Sequence, residues 1–133
     1  MSEFGLAPGL RGEYRIKVGV EHTAHDLGHT GVEVYSTPDL VAAFEMACCD
    51  AIGSRLPPGY NHVGVYNEMT HTAATPVGMT VVAKAELVEV DGRRLVFRVE
   101  GFDEVEKIGE GRHDRMVVNW SRFEAKLAEK VKP

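Results

Sequence analysis

The segment Ser36-Thr37-Pro38-Asp39-Leu40-Val41-Ala42-Ala43-Phe44-Glu45-Met46-Ala47-Cys48-Cys49-Asp50-Ala51-Ile52-Gly53 decides how the rest of the chain is read. A hydroxyl residue, Ser36 or Thr37, stands where a helix N-cap is wanted. Pro38 suits the first turn, which has no intrahelical use for its N–H, and Asp39 faces the positive end of the helix dipole. Gly53 and then Pro57-Pro58-Gly59 stop the helix. Between those signals the residues are apolar almost all round, the pattern of a helix covered on most sides.

Upstream, Gly12 to Val20 alternates: Tyr14, Ile16, Val18 and Val20 against Glu13, Arg15 and Lys17. That is a strand with one buried face. Residues 1–10, with Gly5, Pro8 and Gly9, read as a flexible lead-in to a single domain over 11–133, and Glu21 to Gly31 reads as a loop. Downstream, candidate strands span 61–75, 79–90, 93–103 and 110–120, with Asp91-Gly92 the strongest hairpin signal and Thr75-Pro76-Val77-Gly78 a second turn. Ser121 and Glu124 match a capping box for a short amphipathic helix ending near Lys130. One strand, one apolar helix and a meander of long antiparallel strands make an α+β domain.

Composition narrows the class. The 133 residues are 44% hydrophobic and 26% charged, an ordinary globular mix, and the formal charge of −5 argues against a nucleic-acid partner. No apolar run reaches the roughly 20 residues of a membrane helix, and no signal peptide is visible, so a cytoplasmic protein is expected. Cys48 and Cys49 are adjacent and badly placed to bridge each other; they read as reduced thiols rather than as a disulfide or a catalytic nucleophile. His22, His25 and His29 have spacings that would suit zinc, but no nearby cysteine or fourth ligand accompanies them, so neither a metal nor another cofactor is assigned.

Three polar residues stand out. Glu45 is the only charge between Asp39 and Asp50. A carboxylate desolvated on an apolar helix is suited to acid–base work, whereas on a wetter stripe of that helix it carries no such meaning. His71 lies on a candidate strand before the small residues Ala73 and Ala74; it is structural, or it faces a ligand held in the room they leave. Thr37 is the helix cap, unless Ser36 takes that place and frees its hydroxyl.

Taken together, Ser36-Thr37-Pro38, the helix bearing Glu45, the run Thr70-His71-Thr72-Ala73-Ala74-Thr75-Pro76 and Gly78 resemble the fluoroacetyl-CoA thioesterase family of the hotdog-fold superfamily. The similarity continues through Asp91-Gly92-Arg93-Arg94-Leu95 and Ile108-Gly109 to His113, Arg115 and Phe123, covering roughly residues 10–128. The resemblance implies an antiparallel sheet wrapped around the long helix and a homodimer with its sites at the interface. It also implies hydrolysis of an acyl-CoA thioester. Thr37, Glu45 and His71 would form the catalytic set, the Gly64 amide would bind the thioester carbonyl, and Arg115 would hold the substrate or the site. Members specialised for fluoroacetyl-CoA close the acyl pocket with phenylalanines before the helix. Here Gly28 to Tyr35 contains none, which points to an ordinary short or medium acyl group. A CoA ligand would call for a basic rim, with Arg93, Arg94, Lys107, Arg112 and Arg122 as candidates. Two other functions are compatible with the same scaffold: a non-catalytic acyl-CoA or small-ligand binder, and an enoyl-CoA hydratase.

Overall fold

The computed structural model describes residues 4–132. Strand β1 (Arg11–Lys17) is followed by a 3-10 turn (Val20–His22) and helix α1 (Thr37–Ile52). Then come β2 (Tyr60–His71), β3 (Thr80–Asp91), β4 (Arg94–Phe102), β5 (Lys107–Asn119) and helix α2 (Trp120–Lys130). The five strands form one antiparallel sheet in the order β1-β3-β4-β5-β2. The expected meander therefore holds only for β3-β4-β5. Strand β2 lies at the far edge beside β5, because β1 occupies the other side of β3: Gly78 N–H donates to Val18 O and Val18 N–H to Met79 O, closing that side.

The sheet wraps α1 as the α+β reading requires, but the helix is not covered all round. Leu40, Ala43, Phe44, Ala47, Cys48, Ala51 and Ile52 form its buried stripe, against Val81, Ala83, Leu87, Leu95, Phe97 and Val99 of the sheet. Ala42 and Met46 face outward, Met46 with 47% of its surface exposed. The helix packs closely on the sheet at Gly12, where a Cβ would fall 2.1 Å from the Ala47 carbonyl oxygen.

Several boundaries moved. Phe4 and Leu6, within the expected lead-in, are buried in the core, and Gly9 N–H donates to Leu87 O. Residues 1–3 lie outside the described part. Strand β2 ends at His71 rather than running to residue 75, and β1 ends at Lys17. Asp91 is the last paired residue of β3, facing Arg94, so Gly92-Arg93 forms the two-residue turn, with Gly92 at φ 59°. The cap of α2 is Asn119, whose side chain accepts from Arg122 N–H; Ser121 sits inside the helix and donates to Asn119 Oδ1.

One irregularity governs the site. The β2–β5 ladder pairs Gly64 with Arg115 and then Tyr66 with Asp114, leaving Val65 as a bulge. Gly64 and His71 are seven residues apart, and strict alternation would send them to opposite faces. Their partners on β5, Arg115 and Gly109, are six apart and share a face. The extra residue has turned His71 to the side that Gly64 occupies.

Candidate active site

The cap question resolves in favour of Ser36. Its Oγ accepts from Asp39 N–H at 3.1 Å, which leaves the Thr37 hydroxyl free of capping. Thr37 Oγ1 instead lies 2.8 Å from His71 Nδ1, joining the start of α1 to the end of β2. The His71 ring is half-buried. Desolvation holds its pKa below the usual value, and its buried Nε2 has no hydrogen-bond partner among the described residues.

A second group gathers two turns further along α1. Eight residues of helix advance about 12 Å, so Glu45 stands well away from Thr37 within one chain. Its Oε1 would lie 2.8 Å from a Cβ placed on Gly64, so the carboxylate rests against the Gly64 main chain beside the bulge. The same oxygen is 3.7 Å from Arg115 Nη1 and 3.8 Å from His113 Nε2. Of the two readings the sequence left open for Glu45, the wetter stripe holds: its side chain is 44% exposed, because it lies on the flank of α1 rather than on the stripe facing the sheet.

Arg115 is nearly buried and held from two sides. Its Nε donates to His62 Nδ1 at 2.9 Å and its Nη1 to His113 Nε2 at 3.1 Å, both imidazoles accepting because a guanidinium only donates. Burial, and then the neighbouring Arg115 charge, push the His62 pKa down to about 4 and that of His113 below its usual value. His62 gave no signal in the sequence reading, and His113 entered it only as part of a resemblance. A cue existed: His62 and Gly64 on one strand, with His113 and Arg115 on another, each share the period of two that puts side chains on one face.

Several of the remaining candidates have partners within the chain. Arg94 and Arg112 both pair with the buried Asp114, and Lys107 pairs with Glu100 and Glu110. His22 Nδ1 accepts from Gly19 N–H and His25 Nδ1 from Gly31 N–H, so two of the three loop histidines hold the loop's own backbone. Cys48 and Cys49 are free thiols, and burial pushes the Cys48 pKa upward, away from thiolate reactivity. Among the described residues no helix is long and apolar enough to cross a membrane.

The family model for fluoroacetyl-CoA-specific thioesterases matches residues 18–121. The chain belongs to this family. A fluoroacetyl-CoA thioesterase of Streptantibioticus cattleyicolor is 45% identical over 99 residues, 74% of this chain and 71% of that relative. A solved structure of the fluoroacetyl-CoA thioesterase FlK superposes with a TM-score of 0.90 at 37% identity, covering 96% of this chain and 99% of that one. A hot-dog-like protein from Thermanaerovibrio acidaminovorans shares the fold at 23% identity, with a TM-score of 0.88 over 96% of this chain and 95% of its own. Membership in the thioesterase family makes the chain a thioester hydrolase on the hotdog fold, with acyl-CoA as its substrate class.

Proposed function

We propose that the chain hydrolyses short or medium acyl-CoA thioesters through Thr37, Glu45 and His71, with Gly64 and Arg115 completing the site. The observation that carries this reading is the hydroxyl–imidazole contact between Thr37 and His71 at 2.8 Å, on the sheet face that also presents Gly64 to Glu45. A thioester needs little activation beyond a deprotonated oxygen nucleophile and a donor for the developing oxyanion. The Gly64 amide supplies the donor, since a residue without a side chain lets the carbonyl approach the backbone. Glu45, against that same residue, takes a proton from water as the water oxygen adds to the carbonyl carbon. The C–S bond then breaks, the carbonyl reforms, and the CoA sulfur leaves with the proton relayed through the neutral His71, which Thr37 orients. The products are a carboxylic acid and free CoA.

The working unit in this proposal is a homodimer. Strand β2 is an edge strand of 12 residues with Val65 and Tyr66 exposed, and an unpaired edge of that length invites a second strand. Antiparallel pairing of β2 with its copy brings the His71 end of one strand towards the partner subunit's Gly64. That arrangement reunites the two groups that lie about two helical turns apart in one chain. The outward Ala42 and Met46 of α1 would be covered in the same contact. With both cysteines free, the reduced cytoplasm is the compartment this reading expects.

The test is thiol release from acyl-CoAs of increasing chain length, acetyl and fluoroacetyl included. Turnover that peaks at a short or medium chain supports the proposal. Binding of every acyl-CoA with no thiol released points to a ligand-binding module, and water addition to an enoyl-CoA with the thioester intact points to a hydratase. Equilibrium sedimentation at a monomer mass would remove the shared site.

A further inference from the structure

We propose that His62 and His113 act as a neutral two-point clamp on the Arg115 guanidinium, and that His62 is a positioning residue which aims this cation at Glu45. The inference rests on the hydrolase reading for its consequence, but on geometry for its substance. Arg115 has only 10% of its side chain exposed, so its donors must find acceptors inside the protein. An arginine in that setting is commonly met by carboxylates; here, among the described residues, the two contacts within hydrogen-bond distance are imidazole nitrogens, at 2.9 Å and 3.1 Å. Among the described residues the nearest carboxylate, Glu45, stands off at 3.7 Å.

The spacing has a chemical consequence. Had Arg115 closed a bidentate pair with Glu45, the strongest hydrogen-bonding direction of the carboxylate would be consumed by the cation and closed to a water molecule. Two neutral acceptors satisfy the guanidinium without adding negative charge, and they fix its plane. The Glu45 carboxylate is thus left near a positive charge without being locked to it. The clamp works only while both rings are uncharged, His62 protonated at Nε2 and His113 at Nδ1, since an imidazolium has no lone pair to offer. The groups facing the two rings agree with that state: Arg115 bears on both, and burial disfavours a second cation beside it. Glu45 and Asp114 act on His113 in the opposite direction and are outweighed.

His62 is the accessible half of the device, because it is only partly buried at the edge strand whereas His113 is fully enclosed. In the full-length chain, His62→Ala is expected to lower kcat for acetyl-CoA or butyryl-CoA about tenfold, the cost of a small misplacement in a site, with KM changed less than threefold. Asparagine can set its Oδ1 where the Nδ1 acceptor stood, so His62→Asn should recover most of the loss. In an Arg115→Met background His62→Ala should cost nothing further. A kcat within twofold of the unaltered chain, an asparagine variant no better than alanine, or losses that simply multiply in the double variant would each overturn the clamp. Ring 15N shifts supply a readout independent of turnover: His62 should remain a neutral Nε2–H tautomer from pH 8 down to 5.5, and a midpoint near 6.5 would refute the proposal. If the unaltered chain releases no thiol from any acyl-CoA, the hydrolase reading fails by itself, and the ring nitrogens still decide whether His62 holds Arg115.

Discussion

Replacing Gly64 with alanine separates the chemistry of the site from the stability of the fold. The added methyl would sit 2.8 Å from Glu45 Oε1, against about 3.4 Å for an ordinary contact, so the carboxylate must move by about 0.6 Å. The His113 and Arg115 contacts, at 3.2 Å and 3.3 Å, require only small adjustments. Glu45 is the far end of a flexible and 44% exposed side chain, so it yields cheaply. The φ of Gly64 is not positive, and exchanging glycine for alanine in a strand recovers roughly 0.5–1 kcal/mol of backbone entropy, offsetting the strain. Stability should therefore change by less than about 1 kcal/mol. Catalysis has no such compensation: misplacing a reacting group by 1 Å costs about 10²-fold. A 10- to 100-fold fall in kcat/KM is expected, about 1.4–2.7 kcal/mol of barrier. Thiol release measured with a chromogenic disulfide, beside a thermal melt followed by circular dichroism, reads both quantities. A variant that folds normally and keeps kcat/KM within twofold would refute the placement of Glu45 against the Gly64 main chain.

Four further outcomes follow from the same geometry. Gly12→Ala should behave oppositely, because its methyl would strike the Ala47 carbonyl and the Ala51 amide, both helix backbone; loss of several kcal/mol or failure to fold is expected in a denaturant titration. Ser36→Ala should cost about 0.5–2 kcal/mol in the same titration, as an N-cap loss, and also lower activity by drawing Thr37 into the vacant cap; unchanged stability would reject Ser36 as the cap. His62 is lowered to about 4 when folded and stands near 6.5 when unfolded, so the unfolded chain binds more protons between those values. Stability should accordingly fall as pH drops from about 6.5 to about 4, with His113 acting in the same direction, and His62→Asn should flatten that decline. Deleting Val65 should return β2 to plain alternation, turn His71 away from Thr37 and abolish turnover; a deletion variant that keeps full activity would contradict the role given to the bulge.

Local chemistry made much of this architecture legible. Pro38 and Asp39 mark the start of α1, Gly53 its end, and Asp91-Gly92 the hairpin, because caps and turns depend on a few neighbouring residues. Strand order is different in kind. Nothing near β2 says that it pairs with β5 rather than β3; that choice is made by β1, some 45 residues earlier, taking the place beside β3. The exposure of Glu45 stayed open in the sequence for a related reason: Ala42 and Met46 look as apolar as the buried stripe, and only the position of the sheet distinguishes the two faces. His62 stayed silent because a lone histidine becomes informative only when the register brings Arg115 to its ring.

The Val65 bulge also sets a rule about length. Side-chain substitutions along β2 perturb the cleft by degrees, whereas one residue gained or lost between Gly64 and His71 inverts which way the imidazole points. A relative with six residues of separation instead of seven would keep an intact sheet and every polar group, yet display its histidine to the opposite side. The length of that interval, and not the identity of the residues within it, thus decides which side of the sheet receives the imidazole.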